Sequence, residues 1–299
     1  MKSIDLKLGY SCNNNCVFCV RGDKRKKFED KTTAEAKQFI KEVKDDCDEI
    51  VFTGGEPTIR NDLPELVSYA SQFNFKKIQI QSNGRRFAYK DYCKELIKRG
   101  ANEFGLSLHG SKPEIHNKLT KNQKSFSQTI KGIKNLISLD QKVAVNCVIA
   151  KPNYKDHPAL TDLLIDLGVE RCQFTFLYIN NLIKDDPQLV NKIVPRISET
   201  ILYIKKAIKK EENSNISIFI EAIPPCFLEE YKEHILDFTK EKPEKVYKKQ
   251  KIKDYNRYKQ NQFKTKGEEC KECKYFNNCE GIWKVYPGIF GWEEFKPIN

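Results

Sequence analysis

No stretch of this sequence approaches the roughly 18 consecutive apolar residues that a membrane-spanning helix requires, so a protein without a membrane anchor is expected. Residues 1–9 alternate polar and apolar and lack the apolar core of a secretory signal, which points to a cytoplasmic location. There is no internal repeat of the roughly 20–50 residues that build solenoids and propellers, and low complexity is confined to one basic stretch. A shortage of apolar residues is not the reason for any of this. At 39% hydrophobic and 31% charged, with a mean hydropathy of −0.64, the composition is that of a globular chain. A chain of this size buries about 75% of its unfolded surface, so its core needs no covalent staples. The eleven cysteines, an odd number in a 299-residue chain, are therefore not a disulfide framework.

Basic residues exceed acidic ones by 12, but the excess is uneven. The stretch 240–266 holds 11 basic and 3 acidic residues, two-thirds of the whole excess. Tyr247, Tyr255, Tyr258 and Phe263 interleave with its lysines. Lysines neutralise phosphates and aromatic rings stack on bases, so RNA is one conceivable partner. A solvated connector is the plainer alternative.

The first two-thirds of the chain alternates strand-like and helix-like segments. Strands are expected at Ile4–Leu8, Glu49–Thr53, Lys77–Gln81, Glu103–Leu108, Lys142–Ile149 and Arg171–Leu177. Helical spacing of apolar residues marks Thr33–Lys44, Leu63–Phe73, Tyr89–Arg99, Ser125–Ser138, Asp156–Leu167 and Pro187–Lys210. Thr32 or Thr33 gives a weak start signal and Arg99-Gly100 a good stop. Six β-then-α units in order predict an α/β fold, a partial (β/α)6 TIM-like barrel with its helices outside. The pattern changes near residue 213. Residues 1–213 are expected to form the barrel, and 214–299 a small cysteine-rich domain that includes the strand-like run Ile216–Ala222.

Seven of the eleven cysteines fall into two groups. Cys12, Cys16 and Cys19 form C-x3-C-x2-C in the loop after the first strand. Three thiolates on one loop can hold three corners of a cubane iron–sulfur cluster and leave the fourth iron open to a small molecule. Zinc competes, but structural zinc wants four closed ligands.

This motif, with the aromatic Phe18 before its last cysteine, resembles the signature of the radical S-adenosylmethionine (SAM) superfamily. Thr53-Gly54-Gly55-Glu56-Pro57 is similar to that family's GGEP motif, and Ser82-Asn83-Gly84 to its S/T-N-G turn. Leu106 to Gly110, His116, Leu119-Thr120, Ser125-Phe126 and Thr129 to Ile133 resemble a run shared by members with an additional C-terminal cluster domain. Together with Asn146 on the fifth strand, the resemblance covers about residues 3–180.

The resemblance implies a 4Fe–4S cluster on Cys12, Cys16 and Cys19 that binds and reductively cleaves SAM. It places Gly54, Gly55 and Glu56 at the methionine amino group of SAM and Phe18 beside the adenine. Ser107 and Asn146 sit at carboxyl ends of strands, where barrel active sites are built, and could bond ribose or carboxylate; a local turn-stabilising bond is the alternative. His109 could shuttle protons or touch substrate, or merely cap its strand end. Arg85 and Arg86 could pair with a carboxylate or be solvated. Cys47, Cys93, Cys147 and Cys172 read as small buried hydrophobes, although the strands of Cys147 and Cys172 could turn a thiol into the barrel.

The second group, Cys270, Cys273 and Cys279, is C-x2-C-x5-C, and Cys226 after Pro224-Pro225 is the fourth thiol at hand. Spacing alone suits either a fully ligated 4Fe–4S cluster or a structural zinc. The tail resembles the SPASM and twitch extensions of radical SAM enzymes, which implies an auxiliary cluster, single and twitch-like because only four cysteines are available. By the same resemblance the activity is formation of a 5′-deoxyadenosyl radical that abstracts hydrogen from a substrate. A peptide or protein substrate is expected, modified by crosslinking, epimerisation or side-chain oxidation, with a small molecule or RNA as alternatives. The electron donor implied is a flavodoxin or ferredoxin. An electron carrier or zinc module without enzymatic activity would have no use for Gly54-Gly55-Glu56.

Overall fold

The computed structural model describes residues 2–20, 22–25, 27–179, 181–239, 244–246 and 261–299. Most of the basic stretch, residues 240–243 and 247–260, with Tyr247, Tyr255 and Tyr258, lies outside the described residues.

All six expected strands are present as β1 (Lys2–Lys7), β2 (Glu49–Thr53), β3 (Lys77–Ser82), β4 (Glu103–Ser107), β5 (Val143–Ile149) and β6 (Arg171–Phe176). Each pairs in parallel with the next. The order follows the chain without reversal, which separates this sheet from a doubly wound one, where the order reverses at a switch point. Ser217–Glu221 adds to the free edge of β6 as a seventh parallel strand, β7, so the run Ile216–Ala222 contributes to the main sheet. A short β8 (Glu244–Val246) pairs with the opposite edge, beside β1.

Alternate residues divide the sheet into two faces. Ile4, Leu6, Ile50, Phe52, Ile80, Phe104, Leu106, Val145, Phe174 and Ile220 are buried under the helices. The intervening positions Gln79, Gln81, Ser107, Asn146, Gln173, Thr175 and Glu221 are polar and line the inner face. The sheet is thus a curled half-barrel with a polar lumen.

The outer helices are α1 (Thr33–Val43), α2 (Leu63–Ala70), α3 (Lys90–Lys98), α4 (Pro113–Thr120), α5 (Ser125–Ile137), α6 (His157–Asp166), α7 (Asn181–Lys184), α8 (Pro187–Ile193) and α9 (Ile197–Ile208). The weak start signal of α1 is a complete capping box. Glu35 N–H donates to Thr32 Oγ1 at 3.2 Å, and Thr32 N–H donates to Glu35 Oε2 at 2.8 Å. Past α3, Gly100 turns the chain at φ +110°, a conformation that favours glycine.

Two sequence expectations need correction. The helix expected over Pro187–Lys210 is two helices, because Pro195 forces Val194 into an extended conformation and lacks the N–H to continue the ladder. Helix α4 was not expected at all; at eight residues, with Pro113 at its start, its apolar pattern is too short to register.

The C-terminal segment docks on the start of α9. Tyr286 Oη accepts the N–H of Ile197 at 2.8 Å and donates to Glu294, whose other oxygen accepts the N–H of Ser198 at 3.0 Å. Tyr286 also packs on Phe176, and Trp283 on Tyr178, just beyond the carboxyl end of β6. Among the described residues, no helix is long and apolar enough to cross a membrane.

Candidate active site at the carboxyl ends of the strands

The loop that carries Cys12, Cys16 and Cys19 is held from both sides by backbone. Asn15 and Val17 donate N–H bonds to Thr120 and Leu119 at the end of α4, each 3.0 Å. From the other side, Gly55 and Glu56 donate to Gly9 (2.9 Å) and Ser11 (2.8 Å). This contact explains the paired glycines. A Cβ on Gly55 would lie 2.1 Å from Ser11 O, and Gly54 has φ +147° with Gly9 O 2.8 Å from its Cβ position. Their missing side chains let the turn after β2 meet the cysteine loop.

Donors converge on the thiols. Cys12 Sγ receives the N–H of Asn14 at 3.4 Å and lies 3.9 Å from Asn83 Nδ2, while Arg25 Nη2 is 3.5 Å from Cys19 Sγ. Burial pushes the Cys12 thiol up and that of Cys16 up to about 12; neighbouring thiols add to this and Arg25 opposes it. Thiolates at these positions need a cationic partner, which iron supplies. A cubane places each thiolate on a separate iron, and three thiols on one loop fit three of its corners.

Glu56 is buried at the junction of the β2 and β3 turns. Its Oε1 accepts from Thr58 N (3.0 Å), Thr58 Oγ1 (2.6 Å) and Ser82 Oγ (2.7 Å), and its Oε2 from Asn83 N (2.6 Å). Burial raises its carboxyl against the pull of these donors. Asn83 in turn donates to Asn13 Oδ1 at 2.6 Å, which joins the third strand's turn to the cysteine loop.

Phe18 is buried, with its ring edge-on to His109 at 4.9 Å. His109 is buried as well; Val148 N–H donates to its Nδ1 at 3.2 Å, and burial depresses it well below the usual imidazole range. His116 has an equally fixed role. Its Nδ1 accepts the N–H of His109 at 3.0 Å and its Nε2 is 2.9 Å from Ser125 Oγ, which also receives Asn14 Nδ2 at 3.2 Å. The motif residues of α4 and α5 thus anchor the cysteine loop. Arg85 is not solvated: it donates to Asn13 O, to Asn14 Oδ1 (3.1 Å) and to Gln128 Oε1 (2.7 Å). Arg86 instead lies over Tyr92, 5.1 Å from its ring centre.

Ser107 and Asn146 are register partners on β4 and β5. Asn146 Oδ1 accepts from Thr175 Oγ1 at 3.0 Å, and Gln173 Nε2 reaches Thr175 Oγ1 (3.0 Å) and Glu221 Oε2 (2.8 Å). One polar array therefore spans β5, β6 and β7. Cys147 and Cys172 face the helix-side core and are fully buried, as is Cys93, and Cys47 is nearly so; neither Cys147 nor Cys172 turns into the lumen.

Sequence reading missed Arg25, Asn14, Gln173, Thr175 and Glu221. The alternation along β6 could have exposed Gln173 and Thr175. Arg25 lies in an aperiodic loop and carries no such signal.

Cys226, Cys270, Cys273 and Cys279 line a single pocket with Pro224, Pro225 and Trp292. Gly281 N–H points to Cys279 Sγ (3.2 Å) and Ile298 N–H to Cys273 Sγ (3.5 Å). Burial pushes Cys226 up to about 12, and the three other thiols add to it. Here too the donors suit sulfur ligands.

Residues 6–164 match the model of the Radical SAM superfamily, so the chain belongs to that superfamily, whose membership implies SAM and a 4Fe–4S cluster. Fe-coproporphyrin III synthase of Methanosarcina barkeri is 33% identical over 168 residues, 56% of this chain; the chain spans 41% of that protein's length. A protein of Saccharolobus islandicus named Probable GTP 3′,8-cyclase is 28% identical over 225 residues, 71% of this chain and 68% of its own. Among solved structures, anSMEcpe with bound AdoMet and the Cp18Cys peptide shares the fold. Its TM-score is 0.57 at 18% identity, and the match covers 95% of this chain and 89% of that one. The curled half-barrel and the enzymatic class expected from the sequence are borne out.

Proposed function

We propose that this cytoplasmic radical SAM enzyme abstracts hydrogen from a peptide or protein substrate, with a second 4Fe–4S cluster on Cys226, Cys270, Cys273 and Cys279. The observation that carries this reading is the placement of both cysteine groups. One loop leaves β1 and the other pocket opens after β7, each at a carboxyl end of the same sheet, with the polar lumen between them. In support, a structural neighbour of nearly the same extent holds both AdoMet and a peptide.

In this reading Cys12, Cys16 and Cys19 hold the cluster that, when bound, supplies one-electron cleavage of SAM to a 5′-deoxyadenosyl radical. Gly54, Gly55 and Glu56 orient the methionine amino end, and the raised Glu56 carboxyl gains from an ammonium beside it. Ser107 and Asn146 offer polar contacts to ribose or carboxylate, and Phe18 fixes one wall. The segment that follows β7 carries the auxiliary site, and its docked C-terminal part, residues 261–299, shields the mouth from water, a general need of radical chemistry. A flavodoxin or ferredoxin is the proposed electron donor. A small-molecule substrate is the second reading, favoured by the nucleotide and porphyrin names of the two sequence relatives.

The test is anaerobic reconstitution followed by iron and sulfide analysis and EPR. About eight irons per chain, with one cubane signal perturbed by SAM, are expected; about four irons and one zinc would replace the auxiliary cluster with a structural ion. Replacing Cys12, Cys16 and Cys19 by Ala abolishes SAM cleavage, whereas Cys279→Ala retains some. A folded Cys279→Ala protein without any cleavage would overturn this division of labour. For the substrate, a deuterated cell extract is separated by size and each fraction is supplied in turn. Deuterium reaches 5′-deoxyadenosine from the peptide and protein fraction; label from the low-mass fraction alone defeats the peptide reading.

A further inference from the structure

We infer that Arg25 sets the reduction potential of the cluster held by Cys12, Cys16 and Cys19, through a guanidinium fixed against the Cys19 sulfur; this rests on the cluster reading of those three cysteines. Arg25 is anchored by its Nη1, which donates to Asn14 O at 2.7 Å, while Nη2 reaches Cys19 Sγ at 3.5 Å. Its Nε is buried without a hydrogen-bond partner, and among the described residues it makes no ion pair. A guanidinium does not lose its proton in proteins, so a full positive charge stands beside the thiols.

Arg85 shows that bracing the loop is a separate task. It bonds Asn13 O, Asn14 Oδ1 and Gln128 Oε1 and reaches none of the three sulfurs. Two arginines therefore meet at Asn14, one directed to the loop's backbone and amide and the other continuing to a ligand sulfur.

When the cluster takes one electron from a low-potential one-electron donor, the net charge of the cluster and its thiolates becomes more negative by one. A fixed cation favours the reduced form, and more strongly in a partly buried site than in water. Net charge and hydrogen bonds to the sulfurs are established levers on cluster potential. Arg25 is thus a positioning residue for charge, and its removal moves the potential downward.

The experiment is a potentiometric EPR titration of the full, reconstituted chain as wild type, Arg25→Gln and Arg25→Lys, following the signal that SAM perturbs. Iron content is measured first on each. Arg25→Gln is expected to shift the reduction equilibrium about tenfold toward the oxidised form, about 59 mV for one electron. Arg25→Lys, which keeps the charge and loses the fork, moves it by less than a third of that. An unchanged potential in Arg25→Gln overturns the inference, as does an equal shift in both variants. If Arg25→Gln takes up too little iron to titrate, Arg25→Lys decides alone: a potential near wild type supports the role of charge, and a full tenfold shift overturns it. Failure of the underlying cluster reading is distinct, because the wild type would then show no SAM-perturbed signal.

Discussion

The backbone amide of Asn83 donates to Glu56 Oε2 at 2.6 Å, which ties the turn that ends β3 to the turn that ends β2. Through Asn83 Nδ2 and Asn13 the same link continues into the cysteine loop. Three segments far apart in sequence are thus locked at one point.

Glu56→Gln tests that lock. An amide nitrogen placed at either oxygen position faces a donor, so one buried donor loses its acceptor, at a cost of about 1–3 kcal/mol. The expected outcome is a lower melting temperature together with SAM affinity reduced at least tenfold, read by calorimetry and by equilibrium binding. Unaltered SAM affinity in a folded variant would remove Glu56 from the cofactor site.

Gly55→Ala tests the approach of that turn to the loop. The new methyl would lie 2.1 Å from Ser11 O and 2.5 Å from Tyr10 O, both backbone atoms that cannot swing aside. Iron uptake at the N-terminal site is expected to fall by more than half, while far-ultraviolet circular dichroism stays close to wild type. Full iron loading would show that the loop yields more easily than its hydrogen bonds suggest.

Acid stability reports on His116. Burial lowers its imidazole to about 4, and its neutral form is needed to accept from His109 N and bond Ser125. The unfolded chain binds this proton from about pH 6.5 downward and the folded protein only near pH 4, so the unfolded state holds more protons between those values. The contribution is therefore complete above about pH 6.5 and lost as pH falls toward 4. From pH 7 to pH 5 the loss is about 2 kcal/mol. Chemical denaturation at those two pH values should show it, and His116→Gln should flatten the difference.

Docking of the C-terminal segment rests on Tyr286. Tyr286→Phe leaves the ring packing on Phe176 but deprives Ile197 N and Glu294 of their partner. A loss of about 1–3 kcal/mol is expected. Chemical denaturation of the full chain should show it; a midpoint identical to wild type would argue that docking is held elsewhere.

Much of this architecture was legible in the sequence because its signals are local. Period-two runs such as Lys77–Gln81 and helical runs such as Ile130, Ile133, Leu136 and Ile137 declare themselves within a dozen residues. The cysteine spacing does so within eight. What stayed hidden depends on contacts across the chain. Pro195 broke a helix whose apolar pattern continued through it. Ile216–Ala222 was legible as a strand, but its partner, β6, lies beyond α9. Arg25 owes its meaning to the fold of a loop, and Glu56 to donors 2 to 27 residues away.

Because the strands follow chain order, β1 and β7 stand six strand spacings apart, about 29 Å measured along the sheet. The curl turns that distance into an arc with one thiol group at each end. A molecule lodged in the lumen therefore occupies the chord between them.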